Sequence, residues 1–294
     1  MEKNMSKDEF LTYRNILLNT FKDFLQFCQN NHLQYYAAFG TVLGAVRHQG
    51  FIPWDDDIDV YMPRKDYERF LQMKDKMHGS GYEIIDFEDK GYFIYMGKFC
   101  NSNTTLIEKM GQQPIGVYID VFPLDYYDDN YSKPLVKYNK YYFNIWLFYA
   151  HSIRTYSMDL FKNCMKRKDF KSLRTIILDT CIFRLFKYPT KYLIRKYFNR
   201  LRNTPQTGYY WRYSYNIGES NVMPIEWFGN GKEVDFEGIK IIIPQEEDLY
   251  LKSNYGDYMQ LPPEEKRVPR HTKFFFDSHT RYSKREAEEL AMKD

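Results

Sequence analysis

Four aspartates, Asp55, Asp56, Asp57 and Asp59, stand in the run FIPWDDDIDVYM between a tryptophan and a string of apolar strand formers. Read as a strand over 57–62, the run alternates, with Asp57, Asp59 and Tyr61 to one side and Ile58, Val60 and Met62 to the other. Two carboxylates one pleat apart repel, and burial raises their pKa values unless a cation lies between them. A divalent cation removes that repulsion, and hard oxygen donors suit Mg²⁺ or Mn²⁺. A second segment repeats the pattern. In VYIDVF, Asp120 shares a side with Tyr118, while Val117, Ile119 and Val121 face the other way. Three acids on paired strands make a candidate site for one or two metal ions. The competing reading is a solvated acidic turn, and the alternation argues against it.

Other elements must hold these acids in place. Residues 8–28 carry Leu17, Phe21, Phe24, Leu25 and Cys28 at helical spacing. LQYYAAFG reads as a short strand, and Gly40-Thr41 then precedes the helical stretch TVLGAVRH, whose first N–H groups can meet a phosphate. Pro63 opens a helix through Met77. YEIIDFE and YFIYMGKFC read as strands around the turn DKG, and GVYIDVF as a strand ending at Pro123. FGNGKEV carries an Asn-Gly hairpin signal, and GIKIIIP is a further short strand. The closing SKREAEELAMKD reads as a charged tail or frayed helix. The class is α/β. The expected units are a catalytic core at 1–130, a basic helical segment at 131–215, a C-terminal β segment and loop at 216–275, and a tail at 276–294.

Charge divides unevenly. Residues 131–203 hold 17 Lys/Arg against 3 Asp/Glu, or +14, which leaves −11 on the rest of a chain whose net charge is +3. Such a block suits an anionic lipid surface, a nucleic acid or a plain helical bundle. The first is favoured and nucleic acid is not expected. Cys28, Cys100, Cys164 and Cys181 form no CxxC pair, which speaks against a zinc cluster or disulfide framework and for a reducing cytoplasm. The start MEKNMSKDEF is charged where a signal peptide would need an apolar stretch, so none is expected, and the most apolar stretch, YYFNIWLFYAHSI, is shorter than the roughly 20 residues that span a bilayer. The expected location is cytoplasmic, with peripheral contact at the inner face of the membrane.

The run GTVLGAVRHQGFIPWDDDIDV resembles the signature of the LicD family, relatives of the fukutin-type proteins within the nucleotidyltransferase superfold. IDVFPLD and YGDYMQLPPEEKR resemble the family's later blocks in the same order, so the likeness reaches from about residue 33 to about 271. It implies a nucleotidyltransferase-like mixed sheet with a helical insertion and a C-terminal β segment that folds back. It also implies a phosphotransferase that moves a phospho-alcohol, with phosphocholine from CDP-choline favoured, onto a saccharide hydroxyl that can be lipid-linked. Asp57 and Asp59 match the paired metal ligands and Asp120 the third carboxylate. Asp55 belongs to the WDxD pattern and assists the metal from behind. Asp56 points the other way and is expected to be replaceable.

Positive groups would complete such a site. Arg47 either steadies the leaving phosphate or pairs with an aspartate at the surface. Lys98 either reaches a phosphate or is solvated. Arg267, Arg270 and His271 either close over the donor or hold a loop by ordinary salt bridges. His48 is expected to satisfy backbone carbonyls at a helix end. Gly40 and Thr41 are assigned to the donor phosphates, and Trp54 to the quaternary ammonium head, which aromatic faces hold by cation–π contact. Two rival functions use the same residues: a nucleotidyltransferase that releases pyrophosphate, and a non-catalytic scaffold at a membrane.

Overall fold

Helix α1 (Lys7–Asn30) begins at a capping box, in which Ser6 accepts from the Glu9 N–H and the Glu9 carboxylate takes the Ser6 N–H. Its buried side chains, Tyr13, Leu17, Phe21, Phe24 and Cys28, recur every three or four residues and so form one stripe. The structure is a computed structural model that describes residues 5–89, 92, 96–128, 158–212, 222–269, 271 and 273–292.

After α1 come β1 (Tyr36–Ala37), α2 (Phe39–His48), β2 (Asp59–Pro63), α3 (Arg64–Gln72), β3 (Tyr82–Ile85), β4 (Gly97–Ile107) and β5 (Ile115–Tyr126). Beyond these lie α4 (Met158–Lys166), α5 (Phe170–Arg202), β6 (Tyr209–Arg212), β7 (Val222–Pro224), β8 (Lys232–Phe236), β9 (Ile239–Ile243), α6 (Glu247–Tyr255), β10 (Phe275–Asp277) and α7 (Lys284–Ala291). The main sheet runs β1-β2-β5-β4-β10, with β3 also on β4 and with β6 joining β5 to β7. β2 and β5 are parallel and the other pairs antiparallel, so the sheet is mixed. β6, β7 and β10 belong to this sheet, so the core draws on residues well past 130. On its packed face Phe24 of α1 lies edge-on to Phe99 of β4 and to Phe70 of α3, at centroid distances of 5.5 and 6.3 Å.

Several boundaries differ from expectation for local reasons. Helix α2 starts at Phe39, so Gly40 and Thr41 lie inside its first turn rather than before it. Strand β2 starts at Asp59, which leaves Asp57 in the irregular approach to the strand. The helix after Pro63 stops at Gln72, and a short 3₁₀ turn, Lys74–Met77, carries the chain on. β5 continues through Pro123 because β4 pairing ends at Val121, so that side of the proline faces no ladder. The β8–β9 hairpin turns at Glu237-Gly238 and not at Asn230-Gly231. Both turn residues have positive φ, +49° and +76°, as a type I′ turn requires. The expected tail holds α7, begun by a Ser283–Glu286 capping box and packed through Ala287 against Ile107 and Phe274. Residues 131–157 of the basic segment, and Arg270, lie outside the described residues. The remainder of that segment up to Arg202 is mostly the helices α4 and α5, and among the described residues no helix is long and apolar enough to cross a membrane.

Candidate active site

Register builds the centre of the site. Asp59 of β2 stands directly opposite Asp120 of β5, and Asp120 directly opposite Lys98 of β4. Directly opposed residues share a face, with strands about 4.8 Å apart, so the three side chains form one row across the sheet. Helix α2 secures the end of the row. The Asp59 N–H donates to Thr41 Oγ1 at 2.9 Å, the Ala38 N–H to the Asp59 carbonyl at 2.9 Å, and the Asp120 N–H to the Ile58 carbonyl at 3.0 Å. Thr41, assigned from sequence to a phosphate, is buried and its oxygen positions Asp59. Gly40 also serves the acids. A Cβ built there would lie 2.5 Å from Asp55 Oδ2, so glycine admits that carboxylate to the first turn of α2.

The row is electrostatically loaded. Burial lifts the Asp59 carboxyl well above its ordinary pKa, and the charges of Asp57, Asp120 and Asp55 lift it further against the pull of Lys98. Burial also raises Asp120, which Lys98 opposes by pairing with it. Lys98 is 3% exposed, so it is no solvated lysine, and its ammonium sits 3.3 Å from the centroid of the Tyr118 ring. A hard divalent cation is what such a surplus of buried carboxylate oxygen accommodates.

Asp56 corrects the sequence expectation. It is 2% exposed, with Oδ1 3.0 Å from His271 Nδ1 and Oδ2 3.3 Å from Lys273 Nζ. Burial opposes its charge, yet the His271 hydrogen bond and Lys273 hold its pKa below the ordinary carboxylate value. His271 Nδ1 also lies 3.6 Å from Asp57 Oδ2. Burial works against the imidazolium, but the bond to Asp56 and the charges of Asp57 and Glu108 raise its pKa. Among the described residues, Asp56, Asp57 and His271 are the group whose ligand atoms all lie within 4.8 Å of one another; the expected trio of Asp57, Asp59 and Asp120 is less tight. His271 Nδ1 lies between the two carboxylates, a setting that suits a donor nitrogen.

The remaining candidates form a rim. Arg47 donates to the Tyr258 carbonyl at 2.6 Å and to His48 Nε2 at 2.9 Å, tying the end of α2 to the C-terminal loop. His48 accepts from that arginine instead of serving backbone carbonyls, and burial followed by the charge on Arg47 lowers its pKa. Trp54 has the Arg267 guanidinium 5.8 Å from its ring centroid, so one cation already neighbours the proposed choline platform. Arg267 also donates to the Pro262 carbonyl at 2.8 Å.

Sequence reasoning missed Lys273 and Glu108. Lys273 Nζ lies 3.8 Å from Glu108 Oε1, and the Tyr118 hydroxyl donates to that same oxygen. Burial opposes the Glu108 charge, but Lys273, Lys98 and His271 outweigh it and lower its pKa. Lys273 stands two residues after His271, the spacing that sends extended side chains the same way, and that signal was available in HTKFFFD. Glu108 follows the last residue of β4 and carries no pattern of its own.

The family described as LicD/FKTN/FKRP, nucleotidyltransferase domain, matches residues 32–157. The lipopolysaccharide cholinephosphotransferase LicD of Haemophilus influenzae is 30% identical over 262 residues, covering 87% of this chain and 93% of that protein. Uncharacterized proteins of Rickettsia typhi and Rickettsia prowazekii are each 31% identical over 122 and 125 residues, 42% of this chain and 38% and 46% of theirs.

Proposed function

This chain belongs to the LicD family and is an enzyme of its phosphotransferase kind, and we propose that it moves phosphocholine from CDP-choline to a hydroxyl of a cell-surface glycan or its lipid-linked precursor. The acceptor oxygen bonds to the phosphorus that bears choline, the bond from that phosphorus to the bridging oxygen breaks, and CMP leaves with the bridging oxygen. Asp120, made more basic by burial, takes the acceptor's proton. Asp57, Asp59 and Asp120, with Asp55 behind them, are the residues that would hold Mg²⁺ or Mn²⁺, which supplies the charge to neutralise the donor's diphosphate. Lys98 adds fixed positive charge beside Asp120. Arg47, Arg267 and His271 face the donor from the rim, and Trp54 meets the choline head.

The observation that carries this reading is the cross-strand row Asp59–Asp120–Lys98 in a chain aligned with a cholinephosphotransferase over most of its length. Phosphorus NMR on purified protein with Mg²⁺ and a panel of CDP-alcohols tests it. CMP appearing fastest from CDP-choline supports it. Pyrophosphate released from CTP would replace it with nucleotidyl transfer. An Asp57→Asn variant as active as wild type would show that the acids do not carry the reaction.

A second surface supports a peripheral location at the inner face of the membrane. Along α5, Ile177, Leu178, Leu185 and Tyr192 are exposed, Leu185 by 72%, among exposed Lys171, Arg174, Arg184, Arg195 and Lys196. Flotation with anionic liposomes tests this, and failure to float at low salt removes it.

A further inference from the structure

Beneath the acids lies a layer of buried charge that the transfer just described leaves unused. Lys273 is 5% exposed, its Nζ is 3.3 Å from Asp56 and 3.8 Å from Glu108, and the Tyr13 ring centroid lies 5.0 Å away. From Asp56 the contacts run outward to His271 and so to Asp57. From Glu108 they run through the Tyr118 hydroxyl and ring to Lys98, and so to Asp120. One connected path, His271–Asp56–Lys273–Glu108–Tyr118–Lys98, therefore ends at both flanks of the proposed metal ligands, and Lys273 is at its middle.

We propose that Lys273 is a positioning residue for the transfer. By holding Asp56 and Glu108 together it sets His271 beside Asp57 and leaves Lys98 to Asp120. The charges along the path alternate in sign, so each cation serves the acids on both sides of it. Without the Lys273 ammonium, Asp56 and Glu108 become uncompensated in a buried setting and compete for the cations that remain. Asp56 then draws His271 from Asp57, and Glu108 draws Lys98 from Asp120. A change at Lys273, 3.3 Å from Asp56 and 3.8 Å from Glu108, thus reaches both sides of the reacting centre. This inference rests on the functional reading in placing Asp57 and Asp120 at that centre.

The test compares Lys273→Met, Lys273→Arg and the double variant Asp56→Asn/Lys273→Met in the full chain. Lys273→Met is expected to lower kcat by about 30- to 100-fold while KM for the donor stays within about threefold. Lys273→Arg, which keeps the charge, regains most of that loss. The double variant removes Lys273 with one of its two acids, so it recovers part of the melting temperature but not kcat. Nitrogen-15 NMR of the histidines supplies a readout that bulk stability does not move. The downfield Nδ1–H resonance of His271 is expected in wild type and Lys273→Arg and displaced in Lys273→Met. A folded Lys273→Met with wild-type kcat, or with an undisplaced His271 resonance, overturns the proposal. If the wild type transfers from no CDP-alcohol, the functional reading fails, and the resonance alone still decides whether Lys273 positions His271.

Discussion

Asp59 is buried at the end of a strand pair, feels the charge of three other carboxylates, and has its backbone held by Thr41 and Ala38. Its folded pKa is raised above the unfolded value of about 3.9. A raised carboxyl contributes stability that is fully present below about pH 4 and is lost as pH climbs through the folded pKa. Asp56 and Glu108, whose pKa values are lowered, act in the opposite sense, and their contribution is lost in acid. Comparison with Asp59→Asn isolates the first effect. In chelator, wild type is expected to lose melting temperature relative to Asp59→Asn between pH 4 and pH 8, each kcal/mol moving it by about 2 °C in a chain of this size. Millimolar Mn²⁺ at pH 8 should return the loss in wild type and do far less for the variant. A pH-independent gap between the two proteins would show that Asp59 carries no such burden.

Helix α2 and the loop that enters β2 are one unit, and the close approach at Gly40 is where they meet. An alanine there would press its Cβ to 2.5 Å from Asp55 Oδ2, so the carboxylate must swing out of the first turn, at a cost below the roughly 1–3 kcal/mol of overpacking a closed core. Gly40→Ala should therefore lower thermal stability and kcat together, and Asp55→Ala added to it should restore stability while activity stays low. Thermal denaturation and initial rates on the two variants check this, and a Gly40→Ala protein that matches wild type in both would show that the approach constrains nothing. Elements of this kind mark the limit of what sequence discloses. The alternation around Asp59 and Asp120 is local, so their strands and the side that these two acids share could be read from it, whereas Asp57 falls before β2. The role of Gly40 depends on a loop fifteen residues later, and that of Asp56 on His271 and Lys273 more than two hundred residues later. No local pattern encodes such partners, so Asp56 read as a spare acid and Thr41 as a phosphate ligand. The same holds for the β8–β9 turn. The Asn-Gly pair was the stronger local signal, but pairing from Lys232 to Ile243 puts the reversal at Glu237-Gly238.

Over the whole molecule, charge is segregated: residues 131–203 carry +14 and the remainder −11. An acidic remainder would be repelled by an anionic surface, so an enzyme with a membrane-borne acceptor would need a basic segment to approach it. On α5 the exposed apolar side chains at 178, 185 and 192 recur every seven residues and so lie along one stripe, with cations beside it. Two forces then act on that face. At an anionic lipid surface Coulomb attraction would gather the protein, adding about 1 kcal/mol per cation, and apolar insertion would retain it there. They separate with salt, because the screening length falls from about 10 Å at 0.1 M to about 3 Å at 1 M, whereas apolar burial is not screened. Wild type is expected to float with anionic vesicles at low salt and to keep a residual bound fraction at 1 M. Leu178→Glu/Leu185→Glu should lose that residual fraction, and Arg174→Gln/Arg184→Gln should lose binding chiefly at low salt. Neither pair should change the rate with a soluble saccharide acceptor, since all four side chains are exposed on α5. Equal binding by all three proteins at every salt concentration would mean that α5 presents its stripe to something other than lipid, and a stable dimer in solution would identify a second copy of the chain as the occupant.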